Sequence, residues 1–219
     1  MPSVLGMKSS FLKLNNNKTE VLIITPPSIK TPIQSIDISG TQINCSECVK
    51  NLGVIFDDNL NYQQHIKSVC KKAYYQLHLV SKVRRYLTED AARALVQANV
   101  TSILDYCNSL LLGLPENLLR QLQLVQNSAA RIIKNTKRRE HIQPILKELH
   151  WLPINFRVQY KLILMIFKCL NSESSPFYLS SILSLYVPAR NLRSQNQHLL
   201  TPCKYRLKHY GARCFSYLA

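Results

Sequence analysis

Residues 61–83 read NYQQHIKSVCKKAYYQLHLVSKV, and this stretch decides the fold because the apolar period changes here. Tyr62, Ile66, Val69, Ala73, Leu77, Val80 and Val83 recur at steps of three and four, which sets them along one face of a helix. The same helix carries Lys67, Lys71 and Lys72, then Lys82, Arg84 and Arg85, as candidate phosphate-binding patches. Tyr74 and Tyr75 could stack on bases, but adjacent helical residues point about a quarter-turn apart, so at least one is expected in the core.

Upstream of residue 61 the pattern is strand-like. Val21, Leu22, Ile23 and Ile24 form a short apolar run closed by Thr25, Pro26 and Pro27, and proline cannot donate to a sheet ladder. Ile33, Ile36 and Ile38 mark a second candidate strand stopped at Gly40, and residues 49–56 a third, bounded by Asp57, Asp58 and Asn59. A small antiparallel sheet is expected.

Downstream the helical period continues. Thr88, followed by Glu89 and Asp90, suits an N-cap: its hydroxyl can accept from an orphan amide, and the acids complement the helix dipole. The helix it opens should bury Val96, Val100, Ile103, Cys107 and Leu110 and run nearly to Gly113. Pro115 suits the first turn of a third helix burying Leu118, Leu122, Val125, Ala129 and Ile132. Short links make these neighbours antiparallel, so residues 60–136 read as a three-helix bundle. Further on, Pro144 can open a short helix that ends at the Leu149, His150, Trp151, Leu152, Pro153 corner. A longer helix from about residue 156 to 170 is apolar almost all round over residues 162–167 and is expected at the centre of a second core. The fold class is therefore α+β, mainly α: a small N-terminal antiparallel sheet (residues 1–59), a three-helix bundle (60–136) and a second helical C-terminal region (137–219) ending in an irregular basic tail.

Charge is the informative global quantity. The 219 residues carry a net charge of +16, and the excess is uneven. Residues 1–119 hold 12 basic and 9 acidic side chains, whereas residues 120–219 hold 16 basic and 3 acidic, net +13. Such a field favours a polyanion, most commonly nucleic acid. No apolar run in the C-terminal half exceeds the six residues 162–167, against the roughly 20 that a spanning helix needs, and residues 1–6 (MPSVLG) lack the blocks of a signal peptide. No membrane partner and an intracellular location, nucleus and cytoplasm undistinguished, are the expectations. Seven scattered cysteines, an odd number with Cys107 and Cys169 in apolar surroundings, agree with reduced thiols.

The chemistry-bearing patterns mostly favour structural roles. Phe56, Asp57 and Asp58 suggest the aromatic-x-Asp-Asp turn of two-metal polymerases, but the spacer is missing and the pair stands at a strand-to-helix junction where acids cap. Cys45 and Cys48 lack further zinc ligands in a suitable spacing apart from His65. The six histidines include no His-x-Asp and no His-Glu-x-x-His, and the five glycines form no phosphate loop. No catalytic residue, metal site or cofactor is expected. His150 beside Trp151 reads as a packed corner. Arg131, Lys134, Lys137, Arg138 and Arg139, five cations in nine residues at the end of the third bundle helix, exceed what helix C-capping requires and are the leading phosphate-binding candidates.

Several phrases in order resemble the reverse transcriptases of non-LTR (LINE-type) retrotransposons, notably the chicken-repeat-like and jockey-like groups. They are Phe11-Leu12-Lys13-Leu14-Asn15 with Lys18-Thr19-Glu20, then Asn51-Leu52-Gly53-Val54 and His65-Ile66-Lys67-Ser68-Val69. Leu104-Asp105-Tyr106-Cys107-Asn108-Ser109 and Val125-Gln126-Asn127-Ser128-Ala129-Ala130-Arg131 follow. Last come Leu149-His150-Trp151-Leu152-Pro153 and Gly211-Ala212-Arg213-Cys214-Phe215-Ser216. The resemblance implies that Lys18 belongs to motif D of a palm, near the incoming nucleotide's phosphates. It implies that Leu52 and Gly53 belong to a primer-grip hairpin and that the bundle is a thumb holding the template–primer duplex. The family's catalytic aspartates lie in motifs upstream of motif D, and only ten residues precede Phe11. The relatives' Trp-Asn-containing tail is also missing, so the expectation is a fragment shortened at both ends, with no polymerase activity of its own.

The expected partner is the backbone of RNA or DNA, with self-association through surface left by the missing palm as a further possibility. Two alternatives stand beside it. One is a helical protein-interaction module. The other follows from a likeness of residues 50–90 to a small module attached to AlkB-type tRNA-modifying dioxygenases with a methyltransferase partner, although the iron-binding His-x-Asp and a Gly-rich cofactor loop are both missing.

Overall fold

The structure, a computed structural model, describes residues 15, 18–25, 33–38, 40–172, 175–186, 199–201, 203–205 and 211–218. Residues 11–14 of the first resembling phrase, and Arg190, Arg193, Arg206 and Lys208 of the basic tail, lie outside the described residues. The chain divides into two compact units, Met1–His65 and Ile66–Ala219.

The first unit is built on two antiparallel hairpins. β1 (Ser35–Ile38) pairs with β2 (Thr41–Asn44), and β3 (Cys48–Asn51) with β4 (Val54–Asp57). The strand expected at residues 21–24 reduces to a single bridge from Val21 to Cys45, and residues 49–56 are a hairpin, not one strand. The reason lies in Leu52 and Gly53, whose φ values of 46° and 85° give the left-handed pair of a type I′ turn. Gly53 takes this conformation freely, whereas Leu52 adopts it against the clash of its Cβ and is 83% exposed. Leu52→Asn should therefore raise the unit's stability by about 1 kcal/mol, read as a higher denaturation midpoint. A lower midpoint would show that the leucine side chain contributes more to the hairpin than its backbone strain costs.

Asp57 closes this unit. Its carboxylate accepts from the Asn61 amide at 2.8 Å and the Tyr62 amide at 2.7 Å, fixing a turn in which Leu60 and Tyr62 are both left-handed. Of the acidic pair expected to cap the helix, Asp57 braces the turn that precedes residue 63, and the amides it accepts from lie before the first helical residue. Beneath the turn Phe56, Tyr62 and His65 stack edge to face, and buried His65 accepts at Nδ1 from the Ile55 amide at 3.4 Å.

α1 (Gln63–Val83) leads into the second unit and buries Ile66, Ala73, Leu77 and Val80. This stripe is narrow enough that Tyr74 and Tyr75 are both exposed, 43% and 61%, which corrects the expectation that one is core. At the next helix Thr88 is the N-cap, its Oγ1 accepting from the Ala91 amide. α2 (Glu89–Val96) passes into a π turn (Gln97–Thr101) and then the short α3 (Ser102–Asp105).

The π turn explains a systematic departure. It inserts one residue, so the expected core positions Ile103, Cys107 and Leu110 move one place on to Leu104, Asn108 and Leu111. The helix also stops well short of Gly113: Cys107 turns left-handed, and a 3-10 turn (Asn108–Leu111) completes the run. Gly113 is needed for two reasons, a φ of 76° and the approach of Arg213, whose Cγ lies 2.9 Å from where a Cβ would sit.

α4 (Glu116–Lys134), with Pro115 at its N-cap, is the central helix of this unit. It packs against α2, α5 (Ile142–Glu148) and α6 (Ile154–Asn171). Its buried face keeps the expected Leu118, Leu122, Val125 and Ala129, widens to take in Leu119, Gln126 and Ala130, and ends at Ile133 in place of Ile132. α5 ends in a Schellman-type cap: the Trp151 amide reaches the Leu146 carbonyl, the His150 amide that of Lys147, and His150 occupies the left-handed position. The expected corner is a backbone device.

α6 departs most from its sequence reading. Only Ile154, Val158, Leu162, Ile166 and Cys169 are buried. Phe156, Tyr160, Ile163, Phe167 and Leu170, spaced at fours and threes, form a second, exposed apolar stripe. Composition could not separate a helix buried all round from one with two apolar faces. The short helices α7 (Phe177–Ser180) and α8 (Phe215–Leu218), with a bridge between Leu185 and Leu200, make up the described tail. No helix among the described residues is long and apolar enough to cross a membrane.

Candidate nucleic-acid interface

α1 carries its positive charge along a single straight element. Its 21 residues include no acid, and at 1.5 Å per residue it extends roughly 31 Å. Lys67, Lys71, Lys72 and Lys82 are exposed along it with Tyr74 and Tyr75 among them. Lys67, Lys71, Tyr74, His78, Lys82 and Arg85 fall at helical steps of three and four, one stripe on the side away from Ala73 and Leu77. Just past the helix, Arg85 lies over the Tyr86 ring at 4.6 Å from its centroid.

Arg84 has a different role from its neighbours. Its Nε donates to the Ile132 carbonyl and its Nη2 to the Ile133 carbonyl, each at 2.7 Å, while Nη1 donates to the Leu87 carbonyl. The carbonyls of Ile132 and Ile133 are among the last four of α4, which have no partner within the helix. Arg131 O, the next of these, accepts from the Asn135 and Thr136 amides. The guanidinium thus satisfies one helix end and ties the end of α1 to it.

The expected basic cluster separates into two groups. Arg131 is half-buried and donates from Nη2 to the Glu140 carbonyl at 3.1 Å. Lys134 reaches Glu89 of α2 at 2.5 Å and Glu148 of α5, with only 13% of its side chain exposed. Its ammonium joins three helices and is engaged before any phosphate arrives, so Lys134 is best described as a structural ion-pair residue. Lys137, Arg138 and Arg139 are exposed in the turn beyond α4, which is pinned by Glu140 accepting from the Lys137 amide. Because Arg84 holds the end of α1 to the end of α4, this turn follows directly from the junction that ends the α1 stripe.

The other expected residues fall in the first unit. Lys18 is exposed, its amide bonded to the Asn15 carbonyl at 3.0 Å, and Leu52 and Gly53 form the hairpin tip described above. Lys18 and the hairpin belong to Met1–His65, and the lysine stripe to Ile66–Ala219.

The Lys134 network is sensitive to pH. Hydrogen bonding from Lys134 holds the Glu89 carboxyl below its ordinary value, in opposition to partial desolvation, and bonding to Glu148 and then Glu89 raises the Lys134 ammonium. A depressed carboxylate stabilises fully above its unfolded pKa and loses that contribution as pH falls through its folded value. A raised lysine stabilises below its unfolded pKa and loses that contribution as pH rises through its folded value. Lys134→Met should therefore lower the melting temperature at about pH 7, and the gap to wild type should narrow as the pH falls through and below the ordinary carboxylate range and Glu89 protonates. A gap that does not change with pH would contradict this role.

Desolvation, with Asp57, Asp58 and Glu47 nearby, pushes the Cys48 thiol above its ordinary value, which opposes the thiolate that metal binding or nucleophilic attack requires. No group of three or more His, Cys, Asp or Glu residues suited to a metal occurs among the described residues.

Polar contacts within the second unit tie residues 125–131 directly to residues 149–153 and anchor the start of α6. Gln126 Nε2 donates to the Leu152 carbonyl at 2.8 Å, and Gln123 Oε1 accepts from the Ile154 amide, the first of α6. Arg157 Nη1 bridges both oxygens of Asp105 at 2.9 Å. Sequence reading missed these residues because a buried glutamine leaves no trace in an apolar pattern. No known protein family, curated protein or solved structure matches the chain.

Proposed function

We propose that the chain is a nucleic-acid-holding part of a non-LTR-type reverse transcriptase, gripping the sugar–phosphate backbone of a template–primer duplex without sequence preference and without polymerising. The observation that carries this reading is the acid-free α1, with its lysine stripe and paired tyrosines, running toward the exposed Lys137, Arg138 and Arg139. Cations in a row along a rigid helix can each meet a phosphate and release its counterion, giving affinity that is indifferent to base identity. The hairpin tip at Leu52 and Gly53 and the exposed Lys18 belong to the same proposal through the primer-grip and motif-D resemblance.

Fluorescence anisotropy with duplexes of unrelated sequence tests it. Equal affinities at low salt are expected. No binding, or strong preference for one sequence, would overturn the reading.

A second reading, a helical protein-interaction module, has one observation in its favour: the exposed Phe156, Tyr160, Ile163, Phe167 and Leu170 stripe of α6. Light scattering across a range of concentrations separates the two, because association through this stripe would proceed without nucleic acid and be weakened by Ile163→Glu.

A further inference from the structure

Residues Asp105, Asn108, His150, Arg157, Tyr160 and Lys161 border a cavity of about 180 Å³ in the second unit. It brings together two phrases far apart in the chain, around Asp105 and around His150, on one side of α6. The cavity is smaller than the roughly 300–1,000 Å³ that houses a whole small-molecule ligand, so it suits one part of a larger molecule whose remainder stays in solvent. Its wall is chemically mixed. Asp105 is occupied by Arg157 and also accepts from Asn108 Nδ2 at 3.3 Å. Lys161 and His150 are exposed at the rim, and Lys161 has no acidic partner among the described residues. Tyr160 is 56% exposed, which leaves its ring open to a stacking partner.

The second observation is Asn108 itself. Its side chain follows the left-handed Cys107 and is 4% exposed, yet its buried Oδ1 has no hydrogen-bond partner. A buried acceptor left unpaired is costly and rare, and one beside a polar cavity is most simply completed by a donor that enters with a ligand. The amino groups of adenine and cytosine are such donors.

We infer that this cavity receives one unpaired nucleotide of a single strand: the base stacks on Tyr160 and donates an amino hydrogen to Asn108 Oδ1, while Lys161 and His150 meet its phosphate. Because Oδ1 is closed to solvent, this pairing requires the asparagine side chain to turn toward the cavity. The inference rests on the nucleic-acid reading above and deepens it, adding to a backbone grip a pocket that prefers the exocyclic amino group of adenine or cytosine to the N3–H of uracil or thymine, whose two flanking carbonyl oxygens would be turned against Asn108 Oδ1.

The test is anisotropy on the full chain with short labelled homopolymers of A, C and U (and A and T as DNA) alongside a duplex. Oligo(A) and oligo(C) are expected to bind about tenfold more tightly than oligo(U) or oligo(T). Tyr160→Ala should weaken single-strand binding about tenfold and leave the duplex unchanged. Asn108→Leu, similar in size, should erase the preference. Because this asparagine is buried, its melting curve is recorded with the titration, and Tyr160→Ala at an exposed position keeps the test independent of folding. Equal homopolymer affinities with normal duplex binding would overturn the pocket alone. Failure of every oligonucleotide, duplex included, at low salt would overturn the proposed function together with it.

Discussion

Gln126→Ala should destabilise the protein by about 3 kcal/mol, which for a unit of this size lowers the melting temperature by about 10 °C. The side chain is 1% exposed, and both ends of its amide are in use. Nε2 donates to the Leu152 carbonyl at 2.8 Å, and Oε1 accepts from Gln123 Nε2 at 2.9 Å. Truncation leaves the part-buried Leu152 carbonyl without its donor, removes one of the acceptors that orient Gln123, and opens a void where the fully buried side chain sat. The effect should spread, because Gln123 in turn accepts from the first amide of α6. Gln126→Met separates the two contributions: it refills most of the volume but restores no hydrogen bond, so it should recover only part of the loss. Urea denaturation is the measurement. A change below about 1 kcal/mol for the alanine variant would show that the segment before α6 is held by apolar packing and that the amide network is incidental.

The second large effect concerns binding. Replacing Lys67, Lys71 and Lys72 together by alanine should weaken duplex affinity about 100-fold at about 0.1 M salt, uniformly across sequences. The three are exposed on one acid-free helix, so removal leaves no buried charge behind and should change stability by less than about 1 kcal/mol. Lys134→Ala is the informative contrast. Its ammonium is already held between Glu89 and Glu148, so the substitution should cost stability and leave affinity nearly unchanged. The reverse pattern, with affinity lost through Lys134 and retained without the α1 lysines, would move the interface to the end of α4.

These outcomes bear on what a sequence reveals. The change to a helical period at Tyr62 is local, and α1 follows from it directly. Thr88 is also local, since a cap involves only its own first turn. The position of the second helix's core face was not legible, because one residue inserted at a π turn leaves composition unchanged while rotating every later side chain by about 100°. The hairpin at Leu52 was hidden for a related reason: two strands joined by a tight turn have nearly the same residue pattern as one longer strand. For the site, clustering of positive charge at residues 131–139 was visible, but the pairing of Lys134 depends on where α2 and α5 come to lie. The cavity beside Asn108 needs the convergence of segments more than forty residues apart, and a buried polar side chain in an apolar pattern reads only as an interruption.

The most direct test of the central claim is the salt dependence of duplex binding, measured as the slope of log K against log salt between about 50 and 200 mM. Four or five phosphate contacts along α1 and its end give an expected slope of about −4, falling toward −1 in the Lys67, Lys71, Lys72 triple variant. A slope near zero for the unmodified chain, or one unaffected by removing those lysines, would contradict a phosphate-gripping helix.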